Sequence, residues 1–134
     1  MSHFETIRIE TVSHTQMIDI TSKVADLVRN SGISSGVCTV FIPHTTAGIT
    51  LNENTDPKVQ KDFLNEINKI VPMDDHYEHM EGNSAAHLKA SLIGSSIDII
   101  IEDNTLVTGT WQGIYFCEFD GPRTRKIYIK ITEG

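Results

Sequence analysis

The amino-acid sequence predicts a β-rich α+β protein, an antiparallel β-sandwich with two or three flanking helices. Runs rich in β-branched and aromatic residues, about seven in all, outnumber the segments with helical periodicity. The last three runs, residues 97–102, 106–119 and 126–132, follow one another with no helical segment between them. Because parallel strands need a long crossover connection, consecutive strands favour antiparallel pairing. At 134 residues, the chain is expected to form a single domain, residues 1–134.

The N-terminal region predicts a strand followed by a helix. Thr6–Thr11 alternates polar and apolar residues, which is typical of a half-buried strand. Met17–Ile20 is either its partner strand or the lead-in to a helix. Thr21 can cap that helix and Gly32 can end it. The apolar residues of the helix fall on one face: Val24, Leu27 and Val28.

The next elements are two strands and a second helix. Gly36–Ile42 is rich in β-branched residues and predicts an interior strand, and Gly48–Asn52 predicts another. Asp56 followed by Pro57 is a strong helix start, because the carboxylate can cap and proline suits the first helical position. That helix is expected to run to about Ile70 along an apolar stripe.

The second half begins with a loop and a short helix. Residues 71–83 are polar, acidic and without periodicity, which is typical of a functional loop. Ser84 is expected to cap a short helix that carries His87 and ends at Gly94. The strand predicted over residues 106–119 contains Gly109 and Gly113, which indicate a bulge or a close backbone approach.

Composition excludes several classes of function. A net charge of −7 disfavours nucleic-acid binding, and no window approaches the roughly 18 apolar residues of a membrane span. The N-terminus shows no secretory signal, so a cytoplasmic location is expected. Cys38 and Cys117 both lie in apolar runs and are expected to be buried free thiols.

Three histidines from separate segments are candidate metal ligands: His44, His79 and His87. A catalytic zinc site commonly uses three protein ligands and keeps one position open. The spacing is not that of a zinc finger, so two interpretations stay open, a shared site or three unrelated polar histidines. His76 is a competing ligand because it lies three residues before His79.

Other polar segments could contribute to a substrate site. Asn52 and Glu53 could orient ligands or simply end a strand. Trp111 could stack on a flat heterocycle with Gln112 as donor and acceptor, or it could be a core residue beside a bulge. Arg123 suits the bidentate capture of phosphate, although a solvated hairpin turn is the alternative. Residues 81–84 precede a helix and so form either an anion site or an ordinary capped loop.

Several of these segments together resemble the YjbQ family, also described as secondary thiamine-phosphate synthase-like proteins. The matching motifs are Phe41–Asn54, Glu81–Leu92, Gly109–Ile114 and Glu118–Arg123. The resemblance covers nearly the whole chain, and the tryptophan motif together with the His-Thr-Thr motif is highly specific.

The resemblance implies a compact β-rich sandwich that assembles as a homotrimer, with its site near the subunit boundary. It also implies a divalent metal at His44, His79 and His87. Zinc is preferred for three imidazoles, and magnesium is the alternative with a diphosphate substrate. The implied reaction joins hydroxymethylpyrimidine diphosphate and thiazole phosphate, which gives thiamine phosphate and pyrophosphate.

Our leading hypothesis assigns catalytic roles to Glu53, Glu118 and Arg123. A glutamate would orient a histidine or carry a proton, and Arg123 would neutralise phosphate charge as pyrophosphate leaves. The substrate would contact four further residues: Thr45, Asn52, Trp111 and Gln112. The alternatives are a metal-dependent hydrolase of a small phosphorylated metabolite and a non-enzymatic trimeric protein that binds metal or ligand.

Overall fold

The computed structural model describes residues 1–134 and contains eight strands and three helices. In chain order the elements are β1 (Ser2–Glu10), β2 (Gln16–Asp19), α1 (Thr21–Ser31), β3 (Gly36–Phe41), β4 (Ala47–Glu53), α2 (Pro57–Ile70), α3 (Ser84–Ile93), β5 (Ser96–Glu102), β6 (Thr105–Leu106), β7 (Gln112–Glu118) and β8 (Thr124–Glu133).

The strands form two sheets in which every pairing is antiparallel. The larger sheet has the order β1-β8-β3-β5-β6, and the smaller one has the order β2-β7-β4. The predicted β-rich α+β class with antiparallel sheets is therefore confirmed.

The main core lies between the two sheets. The larger sheet contributes alternate residues of β8 and β3, as the period-two pattern predicted, and these side chains are fully buried: Ile127, Ile129, Ile131, Cys38 and Val40. The smaller sheet contributes Ile114 and Phe116 of β7, and α1 adds Val24 and Val28. Burial of this apolar cluster is the main force that holds the sheets together.

The smaller sheet is covered on its second face by helices. Cys117 and Phe119, at the end of β7, pack against Ile67 of α2 and against Ala86 and Ala90 of α3. The small alanine side chains let α3 approach the sheet closely. This packing places the N-terminal end of α3 near the chain segment that precedes β4.

Two predicted helix caps differ from the structure. Thr21 is the first residue of α1, and the carboxylate that satisfies its N–H belongs to Asp19, 2.9 Å away. Ser84 is likewise the first residue of α3, and Asn83 occupies the cap position. The predicted end of α1 at Gly32 is confirmed, since Gly32 has a φ of 70°. The predicted start of α2 is also confirmed, because Asp56 accepts the Lys58 N–H at 3.0 Å.

The single long strand predicted over residues 106–119 is wrong. β6 ends at Leu106 and β7 begins at Gln112, and the two strands lie in different sheets. Asp103 and Asn104 have φ values of 52° and 60°, which allow a tight hairpin that returns β6 onto β5. Residues 107–111 then carry the chain across to the smaller sheet. Met17 and Ile18 lie in β2, which pairs with β7 and not with β1.

Both cysteines are free and buried, as predicted. Burial raises the pKa of Cys38 to about 11, with a further contribution from the Asp98 carboxylate. Burial alone raises the pKa of Cys117 to about 12. None of the three helices has both the length and the apolar composition that crossing a membrane requires.

Candidate functional site

The segment between β3 and β4 forms one wall of the candidate site. Here the chain passes from the larger sheet to the smaller one, and Pro43 ends the regular pairing. A pocket of about 330 Å³ lies between this segment and α3, and its lining includes His44, Thr45 and His87. The structure therefore brings two of the three predicted metal ligands to one pocket, together with Thr45.

A second pocket, which we call the polar pocket, adjoins the first. It has a volume of about 360 Å³, and its lining contains no hydrophobic residue. Three segments meet there: the residues before β4, the residues before α3 and the start of β8. The side chains that line it include His44, Thr46, Glu81, Asn83, His87, Arg123 and Arg125.

His79 lies beside His87. Their ring centroids are 5.3 Å apart with the rings nearly perpendicular, and His79 Nε2 is 3.8 Å from the Glu81 carboxylate. Both histidines line a third pocket of about 410 Å³, which also includes Tyr77 and Leu88. His87 therefore lines all three neighbouring pockets and connects His44 on one side with His79 on the other.

The three histidines do not form a ready metal site in this arrangement. No three His, Cys, Asp or Glu side chains lie close enough together to hold one ion. His44 Nε2 accepts a hydrogen bond from the Lys126 N–H at 2.9 Å, so a neutral ring carries its proton on Nδ1 and has no free lone pair. Burial lowers the pKa of His44, and the nearby Arg125 charge lowers it further, which favours this neutral ring. His44 could bind a metal through Nε2 only after it releases the Lys126 N–H.

Glu118 does not have the environment of a proton carrier. Its side chain is fully buried and bonded to Arg125, to the Thr11 hydroxyl at 2.8 Å and to the Asp120 N–H at 3.1 Å. Burial by itself would raise the pKa of Glu118, but these donors outweigh it and hold the pKa below the usual value. Glu118 therefore stays ionised and holds Arg125 in place.

Arg125 is a site residue that the sequence analysis missed. It is 4% exposed and lines the polar pocket. A signal was present in the sequence, because Arg125 has the same strand parity as the inward residues Ile127, Ile129 and Ile131. An arginine at an inward strand position must find a buried partner, and such arginines mark structural or binding networks.

Arg123 lines the same pocket and is half exposed. Its Nη2 donates to Asp120 Oδ2 at 2.8 Å, and its Nε donates to the Asp120 carbonyl at 2.8 Å. Asn83 Nδ2 donates to the same carboxylate oxygen at 3.0 Å. Burial alone would raise the pKa of Asp120, but the bonds from Asn83 and Arg123 lower it overall. Asp120 thus joins the segment before α3 to the segment before β8.

The remaining predicted site residues lie at the opposite end of the smaller sheet. In the β4–β7 pairing, Ala47 faces Glu118 while Glu53 faces Gln112. The six residue steps of β4 between these two pairs span about 20 Å. Within one chain, four predicted residues therefore lie far from the histidines: Asn52, Glu53, Trp111 and Gln112.

Local bonds account for three of these four side chains. Asn52 Oδ1 accepts the Glu53 N–H at 2.7 Å, Glu53 Oε2 accepts the Asp56 N–H at 2.9 Å, and Gln112 Oε1 accepts the Gly109 N–H at 2.8 Å. The interpretation of Trp111 as a core residue is wrong, because 61% of its surface is exposed. Trp111 is free to meet another molecule, but not at the histidine pockets of its own chain.

The two antiparallel sheets, the covering helices and the polar pocket define a small α+β domain whose histidines and arginines converge beside α3. The family model described as "UPF0047 protein YjbQ-like" matches residues 5–134, and the chain belongs to this family.

Relatives with similar sequences span nearly the whole chain. The UPF0047 protein YugU of Bacillus subtilis is 52% identical over 95% of this chain and 97% of its own length. The UPF0047 protein MJ1081 of Methanocaldococcus jannaschii is 46% identical over 92% of this chain and 90% of its own length.

Solved structures of the family share the fold. A YjbQ/UPF0047 family protein from Clostridium acetobutylicum is 55% identical and superposes with a TM-score of 0.94, covering 96% of this chain and 99% of that one. A YbjQ-like protein from Sulfolobus solfataricus is 33% identical with a TM-score of 0.96, covering 100% of this chain and 99% of that one.

Proposed function

We propose that the chain is an enzyme that acts on a small phosphorylated metabolite bound beside α3. The observation that carries this proposal is the polar pocket, which His44, His87, Arg123 and Arg125 all line. Histidine can donate protons or bind a metal, and arginine can bind phosphate. Phosphoryl and diphosphate chemistry uses all three of these roles. Few other functions would bring imidazole and guanidinium groups into one small pocket without hydrophobic residues.

The proposed metal is a divalent ion, with zinc preferred because imidazole is a good zinc ligand. The adjacent His79 and His87 rings support this assignment, and His44 is the third proposed ligand. When bound, the metal would supply positive charge that stabilises a leaving phosphate group or activates water. Because the Lys126 N–H occupies His44 Nε2, we expect His44 to contribute less to metal affinity than His87 does.

The specific reaction that we propose is that of the secondary thiamine-phosphate synthase-like proteins. Hydroxymethylpyrimidine diphosphate and thiazole phosphate would give thiamine phosphate and pyrophosphate. The arginines of the polar pocket would bind the diphosphate, and Thr45 beside His44 would contact the substrate. Glu118 would act as a positioning residue for Arg125, since its buried, ionised carboxylate has no proton to donate.

A hydrolase of a small phosphorylated metabolite is the second candidate. Diphosphate chemistry normally uses magnesium on oxygen ligands, whereas the metal ligands proposed here are imidazoles. That difference is the argument for metal-assisted hydrolysis as a candidate beside the transfer reaction. The third candidate is a non-enzymatic protein that binds the metal or the metabolite without turnover.

We also propose a homotrimer located in the cytoplasm, without a nucleic-acid partner. The exposed Trp111 supports an assembly, because a large aromatic side chain in water favours burial against a neighbour. Contact with another subunit would also give a role to Asn52, Glu53 and Gln112 at the same end of the smaller sheet. Light scattering after size exclusion measures the trimer directly, and Trp111→Ala should weaken it.

The decisive experiment compares His87→Ala with His76→Ala. His76 is an exposed histidine on the same acidic loop as His79 and lines none of the pockets, so it is the matched control. We expect wild type and His76→Ala to bind zinc and to form thiamine phosphate from the two precursors, and His87→Ala to lose both. Thiamine phosphate made equally by His87→Ala would reject the proposed site.

The same proteins separate the three candidate functions. Release of inorganic phosphate from a pool of phosphorylated metabolites, without thiamine phosphate, would support the hydrolase. Zinc or metabolite binding with neither product would support the non-enzymatic protein. Zinc content measured by elemental analysis in His44→Ala then tests whether His44 belongs to the ligand set.

A further inference from the structure

The polar pocket contains an arginine that is held rigidly and still has unused donors. Arg125 Nε donates to Glu118 Oε1 at 2.8 Å, while Nη2 donates to Glu118 Oε2 and to the Thr46 hydroxyl at 2.8 Å. A guanidinium has five N–H groups, so the two on Nη1 have no acceptor within the protein. Nη1 is not enclosed, because the only buried polar side-chain atoms without a partner are His3 Nε2 and Asn83 Oδ1. The free donors of this buried arginine therefore open to the polar pocket.

The N-terminus of α3 lies beside the same pocket. Asn83 precedes the helix, His87 lies in its first turns, and both line the pocket. No side chain caps this ten-residue helix. The Ala86 and His87 N–H groups bond to the Asn83 carbonyl, and the Ser84 and Ala85 N–H groups carry the partial positive charge of a helix N-terminus near the pocket without lining it.

Asn83 adds an unpaired acceptor. Its Nδ2 donates to the Asp120 carboxylate, which can only accept, and this bond fixes the orientation of the amide. The other amide atom, Oδ1, is buried without a donor. A ligand that satisfies these groups would accept hydrogen bonds from Arg125 and, after a small movement that uncovers Oδ1, donate one to Asn83.

The charges around the pocket favour a ligand of low negative charge. Glu118 compensates Arg125, and Asp120 compensates Arg123. Glu81 adds a negative charge at the rim. A phosphate group that keeps one proton matches this balance, because it has several acceptor oxygens and one O–H donor. Carboxylate and sulfate have no such donor near neutral pH.

We propose that Arg125 Nη1 and Asn83 Oδ1, beside the N-terminus of α3, form the binding site for a phosphate group that carries a proton. Arg123 has a different task in this proposal, since its bonds to Asp120 fix the segment that orients Asn83. The identity of the metabolite that carries the phosphate rests on the proposed function. The phosphate site itself stands on the contacts described above.

Calorimetric titration of the full chain with inorganic phosphate, sulfate and acetate at about pH 6 tests the site. We expect phosphate to bind about tenfold more tightly than sulfate or acetate. Arg125→Lys keeps the positive charge beside Glu118 but removes Nη1, and it should weaken phosphate binding by about tenfold or more. Arg8→Lys, at an exposed position of β1 that lines none of the pockets, is the matched control and should weaken it less than about threefold. Equal phosphate affinity in wild type and Arg125→Lys, or equal affinity of wild type for phosphate and sulfate, would overturn the assignment.

A second measurement avoids any loss of folding in Arg125→Lys. Phosphate added to the wild-type chain should shift the Arg125 Nε–H resonance in a nitrogen–proton correlation spectrum, and it should shift that of Arg8, an exposed arginine of β1, much less. Equal small shifts at both arginines would refute the site. Phosphate binding without thiamine phosphate synthesis or phosphate release keeps this site and rejects the enzymatic function. Turnover that survives Arg125→Lys unchanged would keep the enzymatic function and reject this phosphate site.

Discussion

Glu118 and Arg125 form an ion pair whose side chains are 0% and 5% exposed. Two N–H groups of the guanidinium meet the two carboxylate oxygens. The Thr11 hydroxyl and the Asp120 N–H also donate to Glu118, and the Thr46 hydroxyl accepts from Arg125. Desolvation of both charges offsets much of their attraction, so such a pair adds little net stability. Its effect is to fix the direction of Arg125 at the polar pocket, and removing either partner leaves the other charge buried and unpaired.

Glu118→Gln should therefore be strongly destabilising. The amide keeps the approximate shape but leaves the Arg125 charge without its counter-ion, which costs about 3 kcal/mol. Urea denaturation at neutral pH measures the loss. Glu66→Gln, which breaks the exposed Glu66–Lys69 pair on α2, is the control and should change stability by no more than about 0.5 kcal/mol. Similar small losses in both variants would contradict the structural role of Glu118.

The same carboxylate should make stability depend on pH in the acid range. The pKa of Glu118 is lowered from the ordinary glutamate value of 4.5, so the unfolded chain takes up a proton before the folded chain does. Its contribution is fully present above that value and is lost as the pH falls through the lowered folded pKa. Urea midpoints measured from neutral pH to about pH 3 should fall more steeply for wild type than for Glu118→Gln. Parallel curves would show that Glu118 is not held ionised by the fold.

Lys89 should reduce stability at neutral pH. Its side chain is 2% exposed, its Nζ donates to Asn68 Oδ1 at 2.5 Å, and it has no carboxylate partner. Burial lowers the pKa of Lys89, so the folded state disfavours the charged amine. Lys89→Met keeps the apolar stem and should raise the free energy of unfolding by about 1 kcal/mol at neutral pH.

A pH series and a surface variant check the interpretation of Lys89. Wild-type stability should rise as the pH increases from the lowered folded pKa of Lys89 towards the ordinary lysine value of 10.5, and Lys89→Met should lack this rise. Lys69→Met on the exposed face of α2 should change stability little. Loss of stability in Lys89→Met would show that the bond to Asn68 outweighs the cost of burial.

The two thiols should be unreactive in the folded protein. Burial raises the pKa of Cys38 to about 11 and that of Cys117 to about 12, so almost no thiolate is present or accessible near neutral pH. A disulfide reagent should label neither cysteine until denaturant is added, and then both. Ser96→Cys at an exposed position of β5 is the positive control and should react at once. Rapid labelling of native wild type would mean that the core opens readily.

The elements with strong local patterns were predictable from the sequence. β8 alternates so regularly that Ile127, Ile129 and Ile131 could be assigned to the core without knowledge of their partners. Asp56 and Pro57 similarly fixed the start of α2, because capping depends on neighbouring residues only. The chain between β6 and β7 was not predictable in this way, since a run of β-forming residues does not reveal that it changes sheets.

The candidate site depended on tertiary structure to a greater degree. The sequence by itself determined the residue types, with His44, Thr45 and Arg123 between predicted elements and His87 on a short helix, and the fold brings these four together. Only the register of β4 against β7 decided that Glu53 and Gln112 lie at the far end of the sheet. The register also set Glu118 opposite Ala47, within reach of Arg125. Pairing between distant strands depends on the packing of the whole core, which no local pattern encodes.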